Sequence, residues 1–132
     1  MPDETRLKRR ELLALLAAAS LARASGAAAA PSDGEVITAV TFIHGIAGRQ
    51  VDLRDHLLSL AAPTRAESGC LQYDLYQSPE HPAEFMRLER WRSLSDLEVH
   101  KATPHLRASF DKRTREGWTT QITVWRRVPQ DA

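Results

Sequence analysis

The sequence offers Cys70 no second cysteine, so no intrachain disulfide can form and no cysteine-rich metal centre exists. It lacks an excess of either charge. Across 132 residues, 18 Lys and Arg stand against 17 Asp and Glu, unlike a strongly basic nucleic-acid binder. No apolar run approaches the roughly 20 residues that a membrane-spanning helix needs. Six glycines and seven prolines are too few for a fibrous repeat or a disordered chain. There is no G-x-G-x-x-G or phosphate-cradling loop, so a nucleotide cofactor has no support. The five histidines show no H-E-x-x-H and no paired spacing with carboxylates, so no metal-ligating set is expected. What remains has the length of one domain with one core.

The first thirty residues have the order of an export signal. Arg6-Leu7-Lys8-Arg9-Arg10 is basic, Leu12 to Ala22 is almost all Leu and Ala, and Ala24 to Ala30 are small. Arg9-Arg10 with Leu12 and Leu13 behind it resembles the twin-arginine export motif, and Arg23 suits that route. Residues 1–30 are therefore expected to direct the chain to the periplasm or another extracytoplasmic compartment. If retained, they would serve as an anchor. Their removal takes five basic and three acidic residues away, leaving 13 against 14, a net charge of −1. The mature part has no electrostatic reason to seek nucleic acid.

Residues 31–34 (Pro-Ser-Asp-Gly) read as a linker, 35–128 as the folded domain and 129–132 as a tail. Glu35 to His44 is β-branched and apolar on both parities, which predicts a strand covered on both faces. A helix is expected from about Arg49 to Glu67, with Leu53, Leu57, Leu58 and Leu60 at helical spacing and a kink or restart at Pro63. Leu71 to Gln77 and Glu84 to Arg92 form a predicted hairpin around Ser78-Pro79-Glu80-His81-Pro82. Ser95-Asp96-Leu97-Glu98 fits a capping box, and Leu94, Leu97 and His100 share a helix face. Thr103-Pro104 predicts a second helix start, with Leu106 and Phe110 on its buried face and Gly117 at its end. Trp118 to Val128 alternates as a last strand.

The order β-α-β-β-α-β predicts an α+β, ferredoxin-like split βαβ fold, a four-stranded antiparallel sheet with helices on one face. The other face would carry apolar groups without a cover, and a sheet-to-sheet homodimer is the simplest one.

Three segments carry a resemblance. Glu67-Ser68-Gly69-Cys70-Leu71-Gln72-Tyr73, Phe85-Met86-Arg87-Leu88-Glu89-Arg90-Trp91 and His100-Lys101-Ala102-Thr103-Pro104-His105-Leu106 resemble, in order and spacing, the E-x-G-C-x-x-Y, F-x-x-x-E-x-W and H-x-x-T-x-H-[FL] segments of the antibiotic biosynthesis monooxygenase domain family. The likeness covers about Val36 to Val128. It implies a similar fold, usually dimeric, and a cofactor-free oxygenase acting with O₂ on a quinol or related aromatic. Haem-degrading relatives and members of unknown substrate also belong to the family. In the haem-degrading relatives a helical histidine lies near the place of Phe110, which cannot ligate iron.

Such chemistry needs an apolar pocket and a base that titrates near neutrality. His100 is the first candidate base, against a plain structural role for a histidine on an apolar face. Tyr73 and Glu89 are the other candidate catalytic groups. The alternatives for Glu89 are a buried ion pair with Arg87 or with a histidine. Trp91, Phe42, His44, His105 and Phe110 are the expected substrate-binding set, with core packing as the alternative for Trp91, the dimer seam as that for His44 and solvation as that for His105. His56 and His81 are expected on the surface, and Cys70 as an inert filler. A competing reading is a non-catalytic dimer that binds a small ligand.

Overall fold

The computed structural model describes residues 34–131. The export signal expected over 1–30 and most of the linker lie outside these residues. Four strands and four helices follow in chain order: β1 (Ile37–His44), α1 (Gln50–Ser59), α2 (Ala61–Arg65), β2 (Cys70–Gln77), β3 (Glu84–Trp91), α3 (Leu94–Lys101), α4 (Pro104–Glu116) and β4 (Thr119–Arg126). The sheet order is β2-β3-β1-β4, antiparallel throughout, as the ferredoxin-like topology requires. No helix among the described residues is long and apolar enough to cross a membrane.

Strand β1 shows how the sheet is sided. Ile37, Ala39, Thr41 and Ile43 are buried on the helical face, while Phe42 and His44 are exposed on the opposite one. Period-2 alternation therefore governs this strand, correcting the expectation that both of its faces are covered. Val36, Phe42, Tyr76 and Trp125 leave large apolar surface on or beside the helix-free face.

The single helix expected over 49–67 is two. A proline ring clashes with the carbonyl four residues back, here Ser59, and lacks the N–H for an α-helical bond. The first helix stops at Ser59, and Pro63 sits inside the short second one. Leu53, Leu57 and Leu60 turn inward, whereas Leu58 is exposed. The cap of α3 is Ser93, not Ser95: Ser93 Oγ accepts from the Asp96 backbone N–H at 3.1 Å. A Cβ on Gly69 would collide with the Asp96 side chain, so glycine there lets the β2 entrance lie against α3. Thr103 is the N-cap of α4, but its hydroxyl donates back to the His100 carbonyl at 2.7 Å. Gly117 ends α4 at φ +73°, where a side chain would be strained.

The core lies between sheet and helices in two apolar clusters. Ile43, Leu53, Leu57, Phe85 and Trp118 form one, and Ile37, Ala39, Trp91 and Leu97 the other. Between them, on the same sheet face, runs a polar row of Thr41, Arg87 and Glu89, all buried. Register makes the row. Thr41 lies opposite Arg87, Ala39 opposite Glu89, and Tyr73 of β2 beside Glu89.

Candidate functional site

The polar row meets the two C-terminal helices at His100. The spacing Leu97, His100 on α3 points the imidazole onto the sheet, where it is 1% exposed. Its ring lies 4.5 Å from that of Trp91, centre to centre, and meets Tyr73 edge-on at 6.2 Å. Nδ1 is 2.7 Å from Glu67 Oε2, and Nε2 is 3.3 Å from Glu89 Oε1. The ring thus sits between two carboxylates. A neutral imidazole can donate to only one of them. In the neutral ring the shorter Nδ1 contact favours the proton toward Glu67, so that Nε2, which has no aligned hydrogen bond, carries the lone pair beside Glu89.

Glu89 is fully buried, and neither of its oxygens has an aligned hydrogen-bond partner. Arg87 Nε approaches it at 3.3 Å. Both partners anticipated from sequence, Arg87 and a histidine, are therefore present. Arg87 also lies over the Tyr73 ring, 5.2 Å from its centre. Burial pushes the Tyr73 hydroxyl above its ordinary range. That hydroxyl faces Thr64 and Arg87 without reaching hydrogen-bond geometry with either.

A cavity of about 60 Å³ opens beside these groups, bordered by Thr41, Arg87, Glu89 and His100 from within. Leu97, Leu106 and Arg113 roof it, and Phe110, Lys101, Thr120 and Ile122 stand at its rim. Phe110 and Ile122 are both more than two-fifths exposed, so the mouth lies between α4 and β4.

Not all the expected residues gather here. His100, Glu89 and Phe110 border the cavity; Tyr73 and Trp91 flank the imidazole from behind. Trp91 belongs to the apolar core and has no face free for a substrate ring. Phe42 and His44 lie on the opposite face of the sheet, away from the cavity, where they border a separate groove with Tyr76 and Met86; for His44 this is the face of the alternative, the expected dimer seam. Strand parity decides this, since both lie one residue out of phase with Thr41 and Ile43. Phe110 was expected on the buried face of α4, but the inward stripe is Leu106, Ser109 and Arg113, and Phe110 falls at its edge. His105 is partly buried, with Nε2 3.3 Å from Glu67 Oε2 and 3.3 Å from Thr64 Oγ1. His56 is not on the surface as expected. It is half-buried against Trp118 and 2.9 Å from Ser109 Oγ. His81 is exposed.

Sequence reasoning missed Glu67 and Arg113 as site residues. Glu67 stands at the head of the E-x-G-C segment, and its pairing with His100 spans 33 residues, beyond any local periodicity. Arg113 lies on the stripe of Leu106, which was the available signal. Glu67, His100 and His105 also bring three donor atoms within 4.8 Å of one another, a set able to hold a divalent ion. The expectation that no such set exists is corrected to that extent. Here both histidine nitrogens contact the Glu67 carboxylate. Cys70 packs beside the second core cluster, its thiol pushed up by burial and by Glu67 and Glu89, as suits an inert filler.

Residues 36–112 match the profile of the family described as antibiotic biosynthesis monooxygenase. Rv0793 of Mycobacterium tuberculosis, whose provisional name is that of a monooxygenase, is 45% identical over 53 residues, 40% of this chain and 52% of that protein. The match thus spans about half the length of that curated relative. The crystal structure of PA3566 from Pseudomonas aeruginosa is similar with a TM-score of 0.65 and 32% identity, covering 74% of this chain and 99% of that one. A Deinococcus radiodurans structure, provisionally described as an antibiotic biosynthesis monooxygenase, is similar with a TM-score of 0.67 and 25% identity, over 73% and 96% of the two chains.

Proposed function

The chain belongs to the antibiotic biosynthesis monooxygenase family, and from that premise we propose that it oxidises a quinol or related phenolic aromatic with O₂, using no cofactor. The observation that carries this reading is His100, whose ring borders the cavity and whose buried Nε2 lies 3.3 Å from Glu89 Oε1 without an aligned hydrogen bond. A general base needs such an open lone pair within reach of a guest. Glu67 accepts the Nδ1 proton, fixes the tautomer and stabilises the imidazolium once it forms.

In this reading His100 takes the proton of a substrate hydroxyl. The resulting anion gives an electron to O₂, and the radical pair joins as a peroxide on the ring. The imidazolium returns its proton to the outer peroxide oxygen, the carbon bearing the peroxide loses its own hydrogen as a proton while the O–O bond breaks and a C=O forms, and the outer oxygen departs as water with both protons. For a simple hydroquinone, C₆H₆O₂ and O₂ become C₆H₄O₃ and H₂O. The ring loses four electrons and O₂ gains them. Arg87 and the cavity's apolar rim hold the anion away from bulk water.

Export of the chain and a homodimer joined through the exposed sheet face of Phe42, Tyr76 and Trp125 are part of the proposal. Quinols are within reach of an exported protein at the outer face of a membrane. O₂ uptake with a panel of dihydroquinones tests the activity. His100→Ala is expected to lose on the order of 10²–10⁴ in kcat. No uptake across the panel, or full turnover by the variant, overturns the reading. The small size of the cavity favours a second one, a ligand-binding protein without turnover, in which a bound ligand leaves unchanged by mass.

A further inference from the structure

Two buried guanidiniums but only one carboxylate border the cavity, Arg87 and Arg113 against Glu89. Arg87 lies 3.3 Å from Glu89, and the neutral ring of His100 is engaged with Glu67 at 2.7 Å. Arg113 is matched by nothing. Its side chain is 5% exposed, and among the described residues no carboxylate lies within ion-pair distance of it. Its Nε donates to the Ser109 carbonyl at a long 3.4 Å, its guanidinium stacks 4.3 Å over the Phe110 ring, and its Nη2 is buried with no partner at all. Burial and the neighbouring Arg87 push it down to about 10, still cationic at neutral pH. A buried, unpaired guanidinium is strongly unfavourable unless something arrives to pair with it.

We infer that the cavity's guest carries a carboxylate, which enters the closed space and pairs with Arg113. The inference rests on the reading of this cavity as the substrate site, and it narrows the substrate to aromatic acids. Geometry favours it over a neutral ring buried to the same depth. A cavity of about 60 Å³ bordered by two guanidiniums is small, and a carboxylate is a compact group that suits it. The ring then lies in the mouth, against Phe110 and Ile122, which are half-exposed there. Lys101 at the rim adds positive charge on the approach, although its ammonium is also held by Glu98 at 2.8 Å. Glu89 faces the same space and opposes an anion, and Arg87 beside it offsets that charge. Planar, two-pronged pairing is what a guanidinium offers a carboxylate and an ammonium does not.

Two probes of one shape separate the alternatives: 2,5-dihydroxybenzoate and 2,5-dihydroxybenzyl alcohol, titrated calorimetrically into the full-length chain. The acid is expected to bind at least about tenfold tighter. Arg113→Gln should abolish that preference, and Arg113→Lys should keep part of it. If the acid binds no better than the alcohol, or neither binds, the inference is overturned. That comparison needs only the unaltered protein, so a variant that fails to fold does not blunt it. O₂ uptake is recorded on the same samples. A preference for the acid without uptake upholds the carboxylate and removes the oxygenase reading. Uptake with the alcohol alone does the reverse.

Discussion

His100 Nδ1 stands 2.7 Å from Glu67 Oε2, joining the turn before β2 to the end of α3 through a ring that also borders the cavity. The bond orients the imidazole and opposes any rotation that would turn Nε2 away from the guest.

Glu67→Gln tests that role. The amide oxygen can still accept the Nδ1 proton, but the charge that stabilises the imidazolium is gone. Turnover is expected to fall on the order of 10–100-fold with KM little changed. Steady-state kinetics separate this outcome from a merely structural one, which would move both constants or the melting temperature.

Glu89 and Arg87 form an ion pair whose side chains are almost fully buried. Glu89→Ala leaves Arg87 uncompensated and should destabilise by about 3–5 kcal/mol in urea unfolding. The double variant Arg87→Met/Glu89→Leu should recover most of that loss, because apolar side chains can replace a buried pair with little change in stability.

How much of this was legible in the chain differs by residue. Alternation in β4 and the Thr103-Pro104 start of α4 are local signals, and they placed their elements correctly. The break at Leu60 is also local in cause, since Pro63 acts on the carbonyl four residues behind it, but its effect falls earlier than the proline itself. Phe42 and His44 share a strand with Thr41, yet one residue of phase sends them to the other face. The apolar run gave no phase to read. Glu67 with His100 and Arg87 with Glu89 differ in the same way. The second pair is two residues apart on one strand and was anticipated as a pair, while the first is closed by tertiary folding alone.

His56 carries a pH dependence. Burial, then Lys112 and Arg113, hold it below its ordinary 6.5. The unfolded chain takes up a proton near that pH while the folded chain resists it. The stability linked to neutral His56 is therefore present above pH 6.5 and lost as pH falls through and below it. His56→Gln should make the decline in stability between about pH 7 and 5 shallower, as read by thermal melts across that range.

Gly69 meets α3 so closely that a methyl group would strike Asp96. Gly69→Ala should destabilise by about 1–3 kcal/mol. Asp96→Gly in the same chain should return part of it, less the loss of the Asp96 contacts to Arg92 at 2.9 and 3.0 Å. Chemical denaturation of the two variants measures both.

Thr120 and Ile122 at the cavity rim belong to β4, which pairs with β1 on one side and, among the described residues, with no other strand. The doorway to the imidazole is therefore hinged on an edge ribbon of the sheet. A bulky visitor can be admitted by fraying that ribbon while the β2–β3 hairpin, which carries Tyr73, Arg87 and Glu89, stays seated. Amide deuterium uptake along 119–126 should accordingly outpace that of the hairpin and slow when the doorway is occupied.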